Sequence, residues 1–311
     1  MRRLIIDKLN AKQRENIITL CAVCGQTEPI KLSLPLPSPG KRLADERFFL
    51  LYDKGQLMSV IHLFYPDGIA GELIGFTHPN FRSNGYFKQL LSLAADYAEE
   101  IGLEQVYVIS DGNSPDADKA LAALGLEAEY AEYMLGKSLG IPPVQGSPST
   151  IPSDSFSVNG SDSAALSNTA VCTATRISVQ ETSATLLTAG LFAEIFQADI
   201  AQCEAYLEEI SSDSRIHTCV LDLAGKPIGQ TQLTFMGDMA YLSGFGILPE
   251  YRRQGFGLMF LNELEMLLKK QSITQLTLQV SSQNKTALSL YRKDGFETLE
   301  ALHYYPLFEE E

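Results

Sequence analysis

Apolar and polar positions alternate and recur along the chain in two similar cycles. In the first, residues 3–9 have strand character and residues 11–24 carry apolar positions at helical spacing. A proline- and serine-rich stretch, 29–43, reads as loop. Arg47–Tyr52 and Gln56–Phe64 flank Asp53-Lys54-Gly55 and predict a hairpin, and Ile69–Thr77 follows as a third strand. A long helix then runs to about Gly102, with Leu90, Leu91, Ala94 and Ala98 on one face. Gln105–Ser110 predicts a strand, Asp116–Ala123 a helix, and Leu126–Leu135 a returning strand that closes the cycle.

The second cycle begins with a strand at Ala174–Val179 and apolar helices at Thr185–Phe196 and Ile200–Ile210. Arg215–Asp222 and Pro227–Phe235 form a hairpin around Ala224-Gly225-Lys226, and Asp238–Leu248 is a central strand. Pro249 ends regular pairing because it has no N–H for a ladder. Phe256, Phe260, Leu261, Leu264, Leu267 and Leu268 then mark a long amphipathic helix. Leu276–Val280 is a strand, a short helix follows Asn284, and Leu299–Leu307 closes the fold.

The two cycles make an internal repeat. Pro79, Phe81, Arg82 and Gly85 align with Pro249, Tyr251, Arg252 and Gly255. Asn113 and Gly125-Leu126 stand near the places of Asn284 and Gly295-Phe296, with one residue inserted. Two positions differ: Phe87 replaces Gly257, and Leu121 replaces Tyr291. A phenylalanine at 87 would close an anion cradle, and leucine cannot donate a proton, so the first copy reads as degenerate. Residues 138–170 are rich in Pro, Ser, Gly, Asp and Asn, and bury too little apolar surface to offset their ordering entropy. The expected organisation is a degenerate domain at 1–137, a flexible linker at 138–170 and a catalytic domain at 171–311.

Composition narrows the partners. At 311 residues, 45% hydrophobic, the chain is long enough for two globular domains. A formal net charge of -14 argues against a general nucleic-acid binder and mildly favours a cationic substrate. No apolar run is long enough to span a membrane, and the start lacks a signal-peptide core, so the expectation is a cytoplasmic protein without membrane or nucleic-acid partners. A homodimer is left open. Five cysteines fit reduced thiols, and Cys21-Ala22-Val23-Cys24 lies in an apolar helical stretch without a second CxxC or nearby histidine. It is read as buried thiol, and no metal site is expected.

The chemistry gathers between Ala240 and Phe296. A strand leading through Arg252-x-x-Gly255-x-Gly257 into a helix makes an anion site, because first-turn N–H groups lack helical partners and face outward at the positive end of the helix dipole. The spacing fits neither a P-loop nor a dinucleotide fingerprint. Ile247, Pro249, Tyr251, Arg252, Gly255 and Gly257, followed by Asn284, Ala287, Tyr291, Gly295 and Phe296, resemble the acetyl-coenzyme A signature of the GNAT (general-control-related N-acetyltransferase) superfamily.

That resemblance implies an α/β (α+β) architecture of two tandem acyl-CoA N-acyltransferase folds, each a mixed, mostly antiparallel sheet flanked by helices. The domain plan is similar to that of two-domain members of the superfamily. The resemblance implies acetyl-CoA as co-substrate, its pyrophosphate on the backbone N–H groups of Arg253, Gln254, Gly255, Phe256 and Gly257, with Arg252 beside it. It places the pantetheine arm along Ile247 and Leu248, a carbonyl-polarising N–H between Phe245 and Ile247, and Asn284 at the cofactor or helix start. Tyr291 is the expected general acid, since a phenol is protonated at neutral pH. Where a basic carboxylate would be convenient the central strand offers Gly244 and Phe245, so Glu300 and His303 on the last strand are the candidate bases. The expected activity is transfer of acetyl to a primary amine of a small molecule or peptide by direct attack in a ternary complex. The alternative is a catalytically silent acetyl-CoA-binding sensor or scaffold.

Overall fold

The computed structural model describes residues 1–140, 177–182 and 185–308. Most of the expected linker, 138–170, lies outside the described residues, as does the start of the strand expected at Ala174. The chain divides into two compact units. Unit 1 comprises Met1–Tyr133, Ser281–Gln283 and Glu300–Glu311; unit 2 comprises Met134–Val280 and Asn284–Leu299.

Unit 1 is built from β1 (Arg2–Ile6), α1 (Ala11–Thr27), β2 (Glu46–Asp53), β3 (Gln56–Phe64), β4 (Ala70–Thr77), α2 (Tyr86–Glu100), β5 (Gln105–Asp111) and α3 (Pro115–Ala122). Asn10 starts α1 with a capping box: its side chain accepts from the Gln13 N–H while the Gln13 side chain accepts from the Asn10 N–H. Lys54 and Gly55, both at positive φ, turn β2 into β3. β1 to β4 pair antiparallel, and β4 pairs parallel with β5 from Ala70–Gln105 to Ile74–Ile109. One core lies under α2, with Phe49, Ile61, Leu63, Leu90 and Ala94; another lies under α1, with Ile17, Leu20, Phe48, Leu50 and Val60.

Unit 2 repeats the order with β7 (Ile177–Thr182), α4 (Thr185–Phe196), α5 (Ile200–Ser211), β8 (Ile216–Leu223), β9 (Lys226–Met236), β10 (Met239–Ile247), α6 (Phe256–Lys270), β11 (Gln275–Ser281) and α7 (Lys285–Lys293). From the first hairpin onward the elements correspond at a constant offset of 170 positions: 46 and 216, 56 and 226, 86 and 256, 105 and 275, 115 and 285. The alignment therefore needs no inserted residue. Ser114, not Asn113, holds the place of Asn284, and both cap their helices: Ser114 Oγ accepts from Ala117 N–H and Asn284 Oδ1 from Ala287 N–H.

The closing strands differ from the sequence expectation. β6 (Tyr130–Ser138) was expected to close the first cycle; from Met134 onward it belongs to unit 2, beside β11, and Leu139 N–H donates to Thr274 O at 2.8 Å. β12 (Glu297–Pro306) was expected to close the second; its Leu302–Pro306 portion pairs antiparallel with β5 of unit 1. The two strands are 9 and 10 residues long and neither carries a strict alternation, so local sequence does not choose between the two sheets.

Candidate active site

Unit 2 brings most of the expected residues to one place. β10 and β11 run parallel from Met239–Gln275 to Leu242–Leu278, and there the pairing stops. Past that point β10 keeps β9 on one side, with a register break between Ser243 and Gly246. Gly244 and Phe245 lie within the break, with no register partner among the described strands. Gly244 has φ of 56°, a conformation that a side chain would disfavour.

After β10 a short 3₁₀ turn, Pro249–Tyr251, leads to Arg252–Gly255. Arg253 and Gly255 are both left-handed, at φ 59° and 92°. Gly255 is the N-cap of α6 and offers no capping side chain. The first-turn N–H groups of Phe256 and Gly257 thus have no side-chain acceptor, and the space around Gly255 is open. Backbone alone thus makes a cradle of a shape that can hold an anion.

The geometry modifies several expectations about neighbouring residues. Arg252 is engaged within the fold: its Nε donates to Ile247 O at 2.9 Å and its Nη2 to Ile195 O at 2.6 Å. Leu248 N–H donates to Ile228 O. The Ile247 carbonyl and the Leu248 amide therefore already have partners, and the stretch of β10 without register partners is Gly244 and Phe245, three residues earlier. Arg253 is exposed, and Gln254 donates to Glu250 O.

Tyr291 lies on α7, buried against Phe245 and Phe296, with ring centroids 6.1 and 5.7 Å apart. Burial raises its phenol above the ordinary tyrosine value, which keeps the proton in place at neutral pH. Asn284 starts the same helix, and Gly295 and Phe296 end it: Phe296 N–H donates to Tyr291 O.

The two candidate bases are not among the residues that unit 2 assembles. Glu300 and His303 belong to the part of β12 in unit 1, where Glu300 pairs with Lys31 at 3.3 Å and His303 Nδ1 lies 3.7 Å from Asp118. The exchange of closing strands accounts for this placement.

Unit 1 has the counterpart cleft. β4 and β5 part after Ile74–Ile109, and Ser83 and Gly85 repeat the left-handed pair at φ 62° and 73°. A cavity of about 610 Å³ opens there, lined by Gly75, Thr77, Tyr86, Phe87, Ser110 and Leu121 among others. Phe87 was expected to close the cradle. Its ring instead lies over Gly75 of β4, where an added β-carbon would come within 2.6 Å of Phe87 Cε2. The corresponding pair in unit 2 is Phe245 and Gly257, so the bulk has moved from strand to helix. Arg82 differs more: it pairs with Glu28 at 2.8 Å and Asp116 at 2.7 Å, which sets two carboxylates beside the cleft. Cys24 donates weakly to Thr77 O, and burial, with Cys24 beside it, pushes the Cys21 thiol to about 12. Both thiols are thus kept protonated, contrary to what a redox pair requires. Among the described residues no three His, Cys, Asp or Glu side chains cluster in a metal-binding arrangement, and no helix is long and apolar enough to cross a membrane.

Unit 2 thus sets a parted strand pair before an uncapped helix N-terminus, with a buried phenol on the next helix. The family model described as "Acetyltransferase (GNAT) family" matches residues 24–125 and again 188–296, and the chain belongs to that family. A 70-residue stretch is 37% identical to the [ribosomal protein bS18]-alanine N-acetyltransferase of Escherichia coli K12. That stretch covers 22% of this chain and 47% of the relative, so the match spans about half the relative's length. The fold is shared with a GCN5-related N-acetyltransferase of Sphaerobacter thermophilus, with a TM-score of 0.65 at 14% identity over 98% of this chain and 95% of the other. It is also shared with a tandem GNAT protein from the clavulanic acid biosynthesis pathway, with a TM-score of 0.59 at 15% identity over the full length of both.

Proposed function

We propose that unit 2 transfers an acetyl group from acetyl-coenzyme A to a primary amine by direct attack in a ternary complex. The observation that carries this reading is the buried Tyr291 phenol beside the unpaired edge of β10, next to a backbone cradle at the start of α6. The residues present fit the coenzyme: the cradle is open, uncapped and free of side chains at Gly255. Bound acetyl-coenzyme A supplies an activated thioester. The N–H groups from Arg253 to Gly257 hold its diphosphate, and Arg252 keeps the loop in shape through its two carbonyl partners. The unpaired main chain of Gly244 and Phe245 orients the arm and polarises the carbonyl. As the amine nitrogen bonds the carbonyl carbon and the carbon–sulfur bond breaks, the Tyr291 O–H donates its proton to the departing sulfur, and the proton lost by the amine returns through solvent to the phenol. In this reading residues 171–311 carry the catalytic domain, 1–137 its degenerate partner, and 138–170 connect them.

The acceptor is an amine on a small molecule or a peptide; the bacterial relative, named for an alanine of a ribosomal protein, is the reason to include peptides. The test is thiol release from acetyl-coenzyme A across a panel of polyamines, amino acids and short peptides, with Tyr291→Phe in parallel. Turnover in the parent that is lost in Tyr291→Phe, with coenzyme affinity kept, is the expected result. One observation favours a second reading, a silent coenzyme sensor: Glu300 and His303 both belong to unit 1. Tight coenzyme binding with no turnover across the panel is the outcome that would select it.

A further inference from the structure

Unit 2 contains two buried carboxamides that no other group of the protein bonds. Gln230 and Gln232 on β9 are both fully buried, and neither the amide nitrogen nor the oxygen of either side chain has a hydrogen-bond partner. Leaving such groups unpaired in an interior is costly, and native structures seldom do it without a reason. The two residues are separated by one position on a strand, so they share a face.

That face is the one against α4, and it adjoins the open part of β10. A β-carbon at Gly244 would collide with Gln232 Oε1 and would approach Phe192 Cε2 at 3.0 Å. Gln230 is paired in register with Gly246, whose β-carbon would meet Ile195 and Phe196 of α4. The Gln232 carboxamide therefore lies against the same break in β10 that leaves Gly244 and Phe245 without strand partners. The ring of Phe192 covers it. That ring packs at a tilt against Phe196, with centroids 4.5 Å apart, and against Tyr206, at 5.8 Å, and both of these reach the surface, 43% and 40% exposed.

The fold itself does not call for this pair. At the same offset in unit 1 the places of Gln230 and Gln232 are held by Val60 and His62. Val60 is apolar core, and His62 Nε2 is bonded to Glu46 Oε2 at 2.7 Å. The copy that lacks the tyrosine fills these positions with an apolar side chain and a histidine anchored through one ring nitrogen; the copy that has it places two carboxamides there, with none of their four polar atoms bonded.

We propose that Gln230 and Gln232 recognise the acceptor, and that the acceptor is an extended peptide amino terminus rather than a simple alkylamine. A carboxamide is uncharged and offers both N–H donors and a carbonyl acceptor, the complement of a peptide group. Two of them two residues apart on a strand stand about 7 Å apart, the repeat of main-chain groups along one edge of an extended peptide. Gln232, beside the break in β10, takes the residue bearing the amine, and Gln230 takes a main-chain group further along. Phe192 swings out as the peptide enters, and the aromatic cluster with Phe196 and Tyr206 receives its side chains. The inference rests on the reading of unit 2 as the transferring unit.

The test uses the full chain, acetyl-coenzyme A, a tripeptide amide and n-butylamine. Two variants are made: Gln232→Met, close in shape, and Gln230→Val, the residue of unit 1. The expected result is a KM for the tripeptide raised about tenfold or more, with kcat little changed and n-butylamine kinetics unaltered. The melting temperature stays level or rises, since an unpaired buried amide has been replaced by apolar atoms. A fall in melting temperature in both variants would mark the pair as structural, held by internal water, and would overturn the proposal. Unaltered peptide KM at unaltered or higher stability would overturn it equally. Parent protein that binds coenzyme but acetylates neither amine would instead remove the reading of unit 2 as a transferase, and this inference with it.

Discussion

Where the closing strand meets the two helices behind the cleft, the two units use opposite chemistry at equivalent positions. Unit 2 has Lys137 on β6, Glu265 on α6 and Asp294 at the end of α7. The ammonium bonds both carboxylates, at 2.9 Å to Asp294 and closely to Glu265, and all three groups are withdrawn from water. Unit 1 has Leu307, Ala95 and Leu124 there, with both leucines packed on the core under α2. Burial works against the Lys137 charge, yet the two carboxylates outweigh it and hold its proton more firmly than in water; burial raises Glu265, with Lys137 opposing in part. One fold thus tolerates either a buried ion triad or plain apolar contact. The triad adds direction: it ties a strand from the first half of the chain to unit 2 by groups that an apolar strand could not satisfy.

That contrast predicts the largest effect. Lys137→Met leaves two buried carboxylates without their counter-ion and should cost about 3–5 kcal/mol, read as a fall in the denaturant midpoint. Converting all three positions to the unit 1 set, Lys137→Leu with Glu265→Ala and Asp294→Leu, should recover most or all of the loss. A triple variant as unstable as the single one would break the equivalence of the two sites.

The next contrast is Tyr291 against Leu121. Tyr291→Phe should lower kcat about 10²-fold or more while coenzyme affinity, by calorimetry, changes little. Leu121→Phe, at the matching place in unit 1, should leave turnover where it was. Equal losses in the two variants would place catalysis outside unit 2.

The exchange of bulk between strand and helix gives a double-mutant cycle. Gly75→Phe alone drives a ring into Phe87, and Phe87→Gly alone opens a void and adds a helix glycine; each should cost about 2–3 kcal/mol. Together they recreate the Phe245–Gly257 arrangement, and the pair should be about 2 kcal/mol better than the sum of the singles. Simple additivity would show that Phe87 does not fill the space over Gly75.

The smallest effect concerns Asp111, where unit 2 has Ser281. Burial opposes the Asp111 charge, but N–H groups of Leu32, Asn113 and Lys31 overcome it and hold the carboxyl below its usual range. A lowered carboxyl stabilises the fold above its unfolded pKa, about 3.9, and loses that contribution as pH falls through the folded value. Asp111→Asn should cost about 1 kcal/mol at neutral pH and remove this component of the acid loss, seen by thermal melts from pH 7 to 3. A variant whose acid profile tracks the parent would assign the loss to other carboxylates.

Much of the fold was legible. The hairpins at Lys54-Gly55 and Ala224-Gly225, the long helices α2 and α6 and the glycine cradle before α6 follow from local pattern and turn chemistry. The candidate site was legible where it is local: Arg253 to Gly257, Asn284 and Tyr291 are fixed by their own helices and turns. It was not legible where partners come from elsewhere in the chain. Phe87 read as an obstruction because the sequence does not show that the residue opposite is Gly75 rather than a second phenylalanine. Arg252 read as a ligand for phosphate because its bond to Ile195 O spans 57 positions. Gln230 and Gln232 passed unnoticed in a strand of ordinary alternation; only burial without partners sets them apart, although the mismatch with Val60 and His62 was a signal the repeat alignment contained.

The sequence by itself determined the order of elements, the duplication and the backbone cradle, because these depend on periodicity, glycine at positive φ and proline's missing N–H, all properties of neighbouring residues. The tertiary structure decided which closing strand completes which sheet, and with it where Glu300, His303 and Lys137 belong. Two strands of similar length, 9 and 10 residues, fit either edge by local criteria. The choice falls to groups far apart in the chain: Lys137 with Glu265 and Asp294 on one side, Tyr305 donating to Asp118 and Glu300 paired with Lys31 on the other.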